Sequence, residues 1–362
     1  MIRWWRTDFG TREADAIANA VLSRHISQGP ITLEFEEKLG EILDVPHVVA
    51  VSSGSAALTV ALMALDVQAG DEVLVPSRSW IATAHAVSLI GAVPVFVDVE
   101  IDKPLMRVST LKKFLTDRTK AIIPVHLNGR AVDMSGILEF AKENNIKVIE
   151  DAAQALYSKN YKGFLGTQSD VGCFSLSVAK LISTGQGGFL VTRDQSIAER
   201  IRAIRTHGLH DVQDVVRWGR QGFNFRMTDM QAAIGLVQLS RINEKANCVR
   251  RIYMRYEEWL NQIEEVTLVA VDLEAGELPI YNEVLNTNRD QFMTEMYKHG
   301  IETRRFFPDM KDADYLTGHS DLDGHARHFA LNGLTLPSGP DQLLEDVDFV
   351  GDTINKLFVN KS

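Results

Sequence analysis

A single lysine, Lys180, stands in "FSLSVAKLISTGQGGFLVT" (residues 174–192), between a short apolar alternation and a glycine-rich turn. A lysine at the end of a core strand is costly to bury, so it is either solvated or chemically employed. "VIEDAAQAL" closes another apolar run with two acids, Glu150 and Asp151, which point to opposite faces if the strand extends that far. A carboxylate in that place is paired, catalytic, or the N-cap of a following helix. Gln154 follows Asp151 by one helical turn, so both could reach one ligand. "VVAVSSGSAAL" closes a strand and opens a helix, and the amides of Gly54, Ser55 and Ala56 there either bind a phosphate or are closed by a serine cap. Trp80, in "SRSWIATAHAV", either stacks on a flat ring or fills the core.

One cofactor would use these parts together. Pyridoxal phosphate requires a lysine amine to condense with its aldehyde, an acid beside its pyridine nitrogen, donors for its phosphate and a flat group against its ring. Lys180, Asp151, the set Gly54, Ser55 and Ser175, and Trp80 supply those four needs in one chain. The combination is far more specific than any one member. A dinucleotide site is not indicated, because G-x-G-x-x-G is missing. Two histidine pairs, His207 with His210 and His325 with His328, lack an acidic or cysteine complement, so no metal site is expected. Cys173, in "VGCFSL", reads as a small buried hydrophobe.

These residues need a frame. "HVVAVS", "EVLVP", "VPVFVDV", "AIIPVH" and "KVIED" are short apolar runs, mostly separated by helical patterns, as at about 55–65 and in "WIATAHAVSLIG". Continuous apolar strands between helices indicate an α/β fold with a mainly parallel sheet covered on both faces. "VGCFSLS" and "GGFLVT" add two strands close together. In such a sheet ligands sit outside the carboxyl ends of the strands, where the residues above fall. From 228 to 263 the pattern reads as one long helix, capped by Thr228, with Met230, Ala233, Ile234 and Val237 on its apolar face. After it the patterns shorten, which places a domain boundary near residue 245.

With 362 residues the chain is long enough for about two domains. Hydrophobic residues at 45% and charged residues at 24% are ordinary for a soluble protein. A net charge of −10 with no basic block argues against a nucleic-acid or anionic-membrane partner. The N-terminus carries no secretory signal, no stretch reads as a membrane span, and two cysteines make no disulfide framework. A cytoplasmic protein is expected.

Over nearly its whole length the chain resembles the DegT/DnrJ/EryC1/StrS family, the sugar aminotransferases. The ordered motifs "ISQGPITLEFEEKLGEIL", "AVSSGSAAL", "VPSRSWIATAHAV", "PVHLNG", "VIEDAAQAL", "CFSLSVAKLISTGQGGFLVT", "GFNFRMTDMQAAIGLVQL", "GIETRRFFPDM" and "GLTLPSGPD" carry the likeness. The resemblance implies a type I pyridoxal-phosphate transferase fold. A large α/β domain with an N-terminal arm (1–245) would precede a smaller C-terminal α+β domain (246–362), in a homodimer with shared active sites. It implies that Lys180 binds the cofactor covalently, that Asp151 keeps the pyridine nitrogen protonated, that Gln154 contacts the ring hydroxyl and that Trp80 stacks on the ring. Gly54, Ser55 and Ser175 would take the phosphate, Asn224 would reach the phosphate in the neighbouring subunit, and Arg226 and Gln186 would face the substrate. The family usually has threonine at Ser55, glutamate at Gln186 and tyrosine at Asn128, which bears on substrate geometry rather than on the cofactor. The implied reaction moves the amino group of L-glutamate to a nucleotide-linked keto-6-deoxyhexose, in polysaccharide or amino-sugar biosynthesis. "TRRFFPDM" and "GLTLPSG" look most like the perosamine-synthase side of the family and favour a 4-keto over a 3-keto sugar. The rivals are a 3-keto aminotransferase, a pyridoxal-phosphate dehydratase and a non-catalytic regulatory homologue. Lys180 argues against the dehydratases, in which histidine replaces the lysine.

Overall fold

Short runs of branched apolar residues become strands here because both of their faces are buried. The computed structural model describes residues 1–209, 218–316 and 324–358. Strands β1 (His47–Val51), β2 (Glu72–Pro76), β3 (Val93–Val97), β4 (Thr119–Ile122) and β5 (Lys147–Asp151) come first. A minimal hairpin, β6 (Lys159–Asn160) and β7 (Gly163–Phe164), precedes β8 (Val171–Ser175) and β9 (Gly188–Thr192). Without the hairpin these form one seven-stranded sheet in the order β1-β9-β8-β5-β4-β2-β3. From β8 to β3 every pairing is parallel. Strand β9 alone runs against its neighbours, between β1 and β8.

Alternate residues serve different cores, as a pleat of period two requires. Val49, Val51, Val73 and Val75 pack on one side with α3 (Gly54–Ala64), α4 (Ala82–Leu89) and α6 (Gln195–Arg205). On the other side Val48, Ala50 and Phe174 meet Phe35 and Leu39 of α2 (Pro30–Leu43), while Leu74 and Val148 meet Ile137 of α5 (Met134–Asn144). Helix α3 is apolar nearly all round because the sheet, α4 and α6 enclose it.

The long helix expected from 228 to 263 is two helices, α7 (Asp229–Ser240) and α8 (Ile242–Leu260). Thr228 does cap α7, in a reciprocal box with Gln231. The break falls at Arg241 (φ −110°, ψ 13°), whose guanidinium reaches Asp8 at 2.8 Å and Glu244 at 3.1 Å. It lets α7 pack on α1 (Thr11–Leu22) and α2 while α8 turns away to another core. The expected apolar face of α7 is corrected too: of Met230, Ala233, Ile234 and Val237 only Ala233 is fully buried, and Ala232, Gly235 and Leu239 line the buried side.

Helix α8 leads to a second sheet of β10 (Thr267–Leu268), β11 (Asn282–Leu285), β12 (Arg304–Arg305) and β13 (Gly333–Leu336), antiparallel in the order β10-β11-β13-β12. Its core joins Ile252 and Tyr256 of α8, Phe292 of α9 (Arg289–Lys298) and Val350 of α11 (Leu344–Phe358) to Val284 and Leu334. Helix α10 (His325–Asn332) feeds directly into β13. The chain's first residues run along this smaller sheet: Ile2 bridges Ile301, Trp5 bridges Ser338, and Trp4 donates its amide to Glu302 Oε2 at 3.1 Å. Among the described residues no helix is long and apolar enough to cross a membrane.

Candidate active site

Strands β5 and β8 are parallel neighbours, and their carboxyl ends bring three of the expected residues to one edge. Asp151, the last residue of β5, lies opposite Cys173, two positions before Ser175 at the end of β8. Lys180 follows in the loop between β8 and β9 and is half-buried. Burial pushes the Lys180 amine down to about 8, against the opposing pull of Asp151. Asp151 is itself buried, which pushes its carboxyl above the ordinary range. Thr83 Oγ1 donates to its Oδ2 at 2.8 Å and the Ala153 amide to its Oδ1 at 3.1 Å, and both favour the ionised form.

Glu150 points the other way, as the pleat predicts. Its carboxylate accepts the amides of Gly166 and Gln168, each at 2.8 Å, and faces His126 Nε2 at 2.9 Å. Burial works to raise the Glu150 carboxyl, but these bonds outweigh it and hold it below the ordinary range. The Val132 amide donates to His126 Nδ1 at 3.3 Å, so the ring hydrogen sits on Nε2 and is given to Glu150. The same histidine donates its backbone amide to the Asp151 carbonyl at 3.0 Å.

No helix follows Asp151; residues 152–158 are turns, which removes the helix-cap reading of that carboxylate. Gln154 is placed by a turn rather than a helical repeat. It is buried, and its Oε1 accepts the Asn128 amide at 3.0 Å. Asn128 holds a left-handed backbone (φ 57°), a conformation asparagine tolerates better than most residues.

At the start of α3 the cap and phosphate readings divide the amides between them. Ser53 is the cap, and its Oγ accepts the Ala56 amide at 3.0 Å. The amides of Gly54 and Ser55 find no acceptor among the described residues, as expected of the first two positions of a helix. A Cβ on Gly54 would stand 2.8 Å from the Ser175 Cβ, so Gly54 is what allows Ser175 to close on the helix end. The segment around Asn224 flanks the same place. Phe225 O accepts the Ser52 amide at 2.8 Å, Arg226 bridges Val51, and Arg226 Nε donates to Asn224 Oδ1 at 2.9 Å. Gln186 has its carbonyl fixed by Thr184 Oγ1 and Gln231 Nε2, both at 2.7 Å, and exposes its side chain. Trp80 is 60% exposed and edge-on to Phe307 at 5.5 Å between ring centres, so the core reading of this tryptophan fails.

The pair His325 and His328 is held away from this site. His325 Nδ1 sits 3.0 Å from Val99 O, and His328 Nδ1 faces Asn332 Nδ2 at 3.2 Å. His210 lies outside the described residues. No group of three metal-binding side chains occurs among the described residues. Cys173 is buried, and burial pushes its thiol well up.

The sequence profile of the DegT/DnrJ/EryC1/StrS aminotransferase family matches residues 8–355. The chain belongs to this family. Among its relatives, GDP-perosamine synthase of Caulobacter vibrioides is 36% identical over 92% of this chain and 91% of the relative. UDP-4-amino-4-deoxy-L-arabinose–oxoglutarate aminotransferase of Shewanella sediminis is 30% identical over 97% and 96%. In structure, DesV of S. venezuelae superposes with a TM-score of 0.90 at 30% identity, covering 96% and 94%. A sugar aminotransferase of Streptococcus pneumoniae in its PLP form gives 0.88 at 25% identity, covering 97% of each chain.

For this family member the lowered lysine has a direct consequence in the cofactor-free protein. The Lys180 amine should react with acetic anhydride in competitive labelling along a titration centred near 8, below the ordinary lysine value of 10.5. Labelling of Lys180 along the ordinary curve would contradict the burial argument. The sign for stability follows. A base whose pKa falls on folding is protonated more in the unfolded chain, so Lys180 makes the fold more stable as pH rises from about 8 towards 10.5.

Four groups in the site escape sequence reasoning: Thr83, His126, Asn128 as a backbone support, and Tyr281, whose ring centre lies 5.9 Å from Lys180 Nζ. Thr83 had one local signal, since it lies one turn after Trp80 on α4.

Proposed function

We propose that this aminotransferase uses pyridoxal phosphate to move the amino group of L-glutamate to a nucleotide-linked 4-keto-6-deoxyhexose, as a cytoplasmic homodimer. The observation that carries the reading is the half-buried Lys180 amine, lowered to about 8 by burial and within electrostatic reach of the buried Asp151 carboxylate, at the edge where Gly54 and Ser55 present free amides. The residues fit that cofactor: an amine neutral enough to be nucleophilic, a carboxylate for a ring nitrogen, and a helix end for a phosphate. When bound, pyridoxal phosphate supplies an aldehyde that accepts nitrogen and a ring that accepts the electron pair of a deprotonated Cα.

Each side chain then has a task. Lys180 Nζ takes the proton from the donor's Cα and returns one on the way to product, acting as general base and then acid. Asp151 keeps a proton on the ring nitrogen. Gln154 holds the ring hydroxyl and Trp80 covers a ring face. Gly54, Ser55 and Ser175 hold the phosphate, and Asn224 reaches the phosphate of the partner subunit. The Ala56 amide serves Ser53 instead. Arg226 and Gln186 face the substrate. We read the chain as a larger unit, 1–245, and a smaller one, 246–362.

The names of the relatives support the sugar class. One makes GDP-perosamine, and another is named for a 4-amino sugar nucleotide and for oxoglutarate, the product that glutamate leaves. Over both halves the sugar's keto oxygen leaves as water, water supplies the keto oxygen of 2-oxoglutarate, and the nitrogen passes to the sugar, so the exchange needs no external oxidant.

The test is product analysis with L-glutamate and nucleotide-linked 4-keto and 3-keto sugars. A 4-amino sugar formed in step with 2-oxoglutarate is expected. A 3-amino product, or a dehydrated product without new nitrogen, would overturn the reading.

A further inference from the structure

We propose that Trp5, Thr7 and Tyr281 are positioning residues for Lys180, and that the N-terminal segment is therefore a working part of the site. The inference rests on the reading of Lys180 as the reacting amine. Two peptide groups lead into Lys180, and both carbonyls are held from outside the main sheet. Val178 O accepts Trp5 Nε1 and Thr7 Oγ1, each at 3.0 Å. Ala179 O accepts the Tyr281 hydroxyl at 2.6 Å. Peptide units are rigid planes, so fixing two in succession fixes the position of the Lys180 Cα and leaves only the side chain to search.

The supports are themselves anchored. Tyr281 is buried, and burial pushes its phenol up, which keeps the hydroxyl a donor. Its backbone is gripped from across the chain by Asn128, whose Nδ2 donates to Tyr281 O at 2.5 Å and whose Oδ1 accepts the Tyr281 amide at 2.6 Å. Trp4 stacks on its ring at 5.6 Å and Trp5 meets it edge-on at 5.4 Å. The N-terminal segment is tied to the smaller sheet by Ile2 donating to Gly300 O at 2.7 Å and Ser338 donating to Trp4 O at 2.8 Å. The Tyr281 ring also lies within cation–π reach of Lys180 Nζ, at 5.9 Å. Elements on both sides of the site therefore set the loop. An amine that must leave its partner and return benefits from an anchored base, because position substitutes for search.

The experiment compares Tyr281→Phe, Thr7→Val and Thr7→Ser with the wild type. Two quantities are read. In cofactor-free protein, competitive labelling with acetic anhydride reports the Lys180 titration. In the loaded enzyme, kcat, KM for L-glutamate and the isotope effect from Cα-deuterated glutamate report the proton transfer. Tyr281→Phe keeps the ring and removes the hydroxyl. It is expected to lower kcat roughly 3- to 10-fold, the worth of one hydrogen bond, with KM within about twofold. The isotope effect should rise, and the Lys180 titration should move up towards the ordinary lysine range as the loop loosens. Thr7→Val should show a smaller change in the same direction, and Thr7→Ser, which keeps the hydroxyl, should restore wild-type values. If Tyr281→Phe does not fold, the half-buried Thr7 pair carries the test. Unchanged isotope effect and unchanged Lys180 titration in Tyr281→Phe and Thr7→Val, with the wild type forming its lysine adduct, overturn this inference alone. A wild type in which pyridoxal phosphate never attaches to Lys180 overturns the underlying reading and this inference together.

Discussion

Lys180→Ala is expected to lower turnover by about 10⁴-fold or more, with the fold intact. On the proposed reading the substitution removes both the nucleophile that would hold the cofactor and the base that would move the proton, and a positioned base alone contributes about 10²–10⁴-fold. The fold should tolerate it, because the lysine is half-buried and its burial already disfavours the charged form. Val178 and Ala179, just before it in the loop, are held through backbone carbonyls, which alanine leaves in place. Turnover assays with thermal melting of the same preparation check this. Ordinary multiple turnover in the variant would end the assignment of Lys180 as the reacting amine.

Asp151→Asn should lower kcat by about 10²–10³-fold, the usual cost of deleting one preorganised electrostatic contact. Asparagine keeps the shape and can still accept from Thr83 or Ala153, so the loss reports charge rather than packing. Two further signs distinguish this account. Asp151 raises the Lys180 amine, so its loss should shift the acidic limb of the rate profile to lower pH. Burial also raises the Asp151 carboxyl above its unfolded value, so the native state holds the proton more tightly and its ionisation costs stability as pH rises through the folded pKa. The asparagine variant should therefore melt at the same or a higher temperature at neutral pH while losing activity. Loss of stability together with loss of activity would mean that the carboxylate is structural.

The local parts of the site were legible in the sequence because their signals are local. Asp151 ends a short apolar strand, and Lys180 and the Gly54–Ser55 turn each follow one, at the edge where such a sheet presents its ligands. The capping box at Thr228 is a four-residue pattern and was equally visible. What escaped depends on long-range closure. Asn128 meets Tyr281 from 153 residues away, Tyr281 meets Ala179 from 102, and Trp5 meets Val178 from 173. No period or spacing encodes such partners. The break at Arg241 was missed for a related reason. The helical pattern runs straight through it, and the turn is set by Asp8 on a distant segment. The helix-cap alternative at Asp151 fails because residues 152–158 form turns, in which the carboxylate accepts the Ala153 amide.

The central claim is that Lys180 carries the cofactor and yields it to glutamate. The most direct measurement is to incubate the full-length protein with pyridoxal phosphate, reduce with borohydride, and locate the adduct by peptide mass mapping, with and without prior addition of L-glutamate. The account predicts one stable adduct, on Lys180, that disappears when glutamate is added before the reductant. An adduct on another lysine, or one on Lys180 that glutamate leaves undiminished, would contradict it.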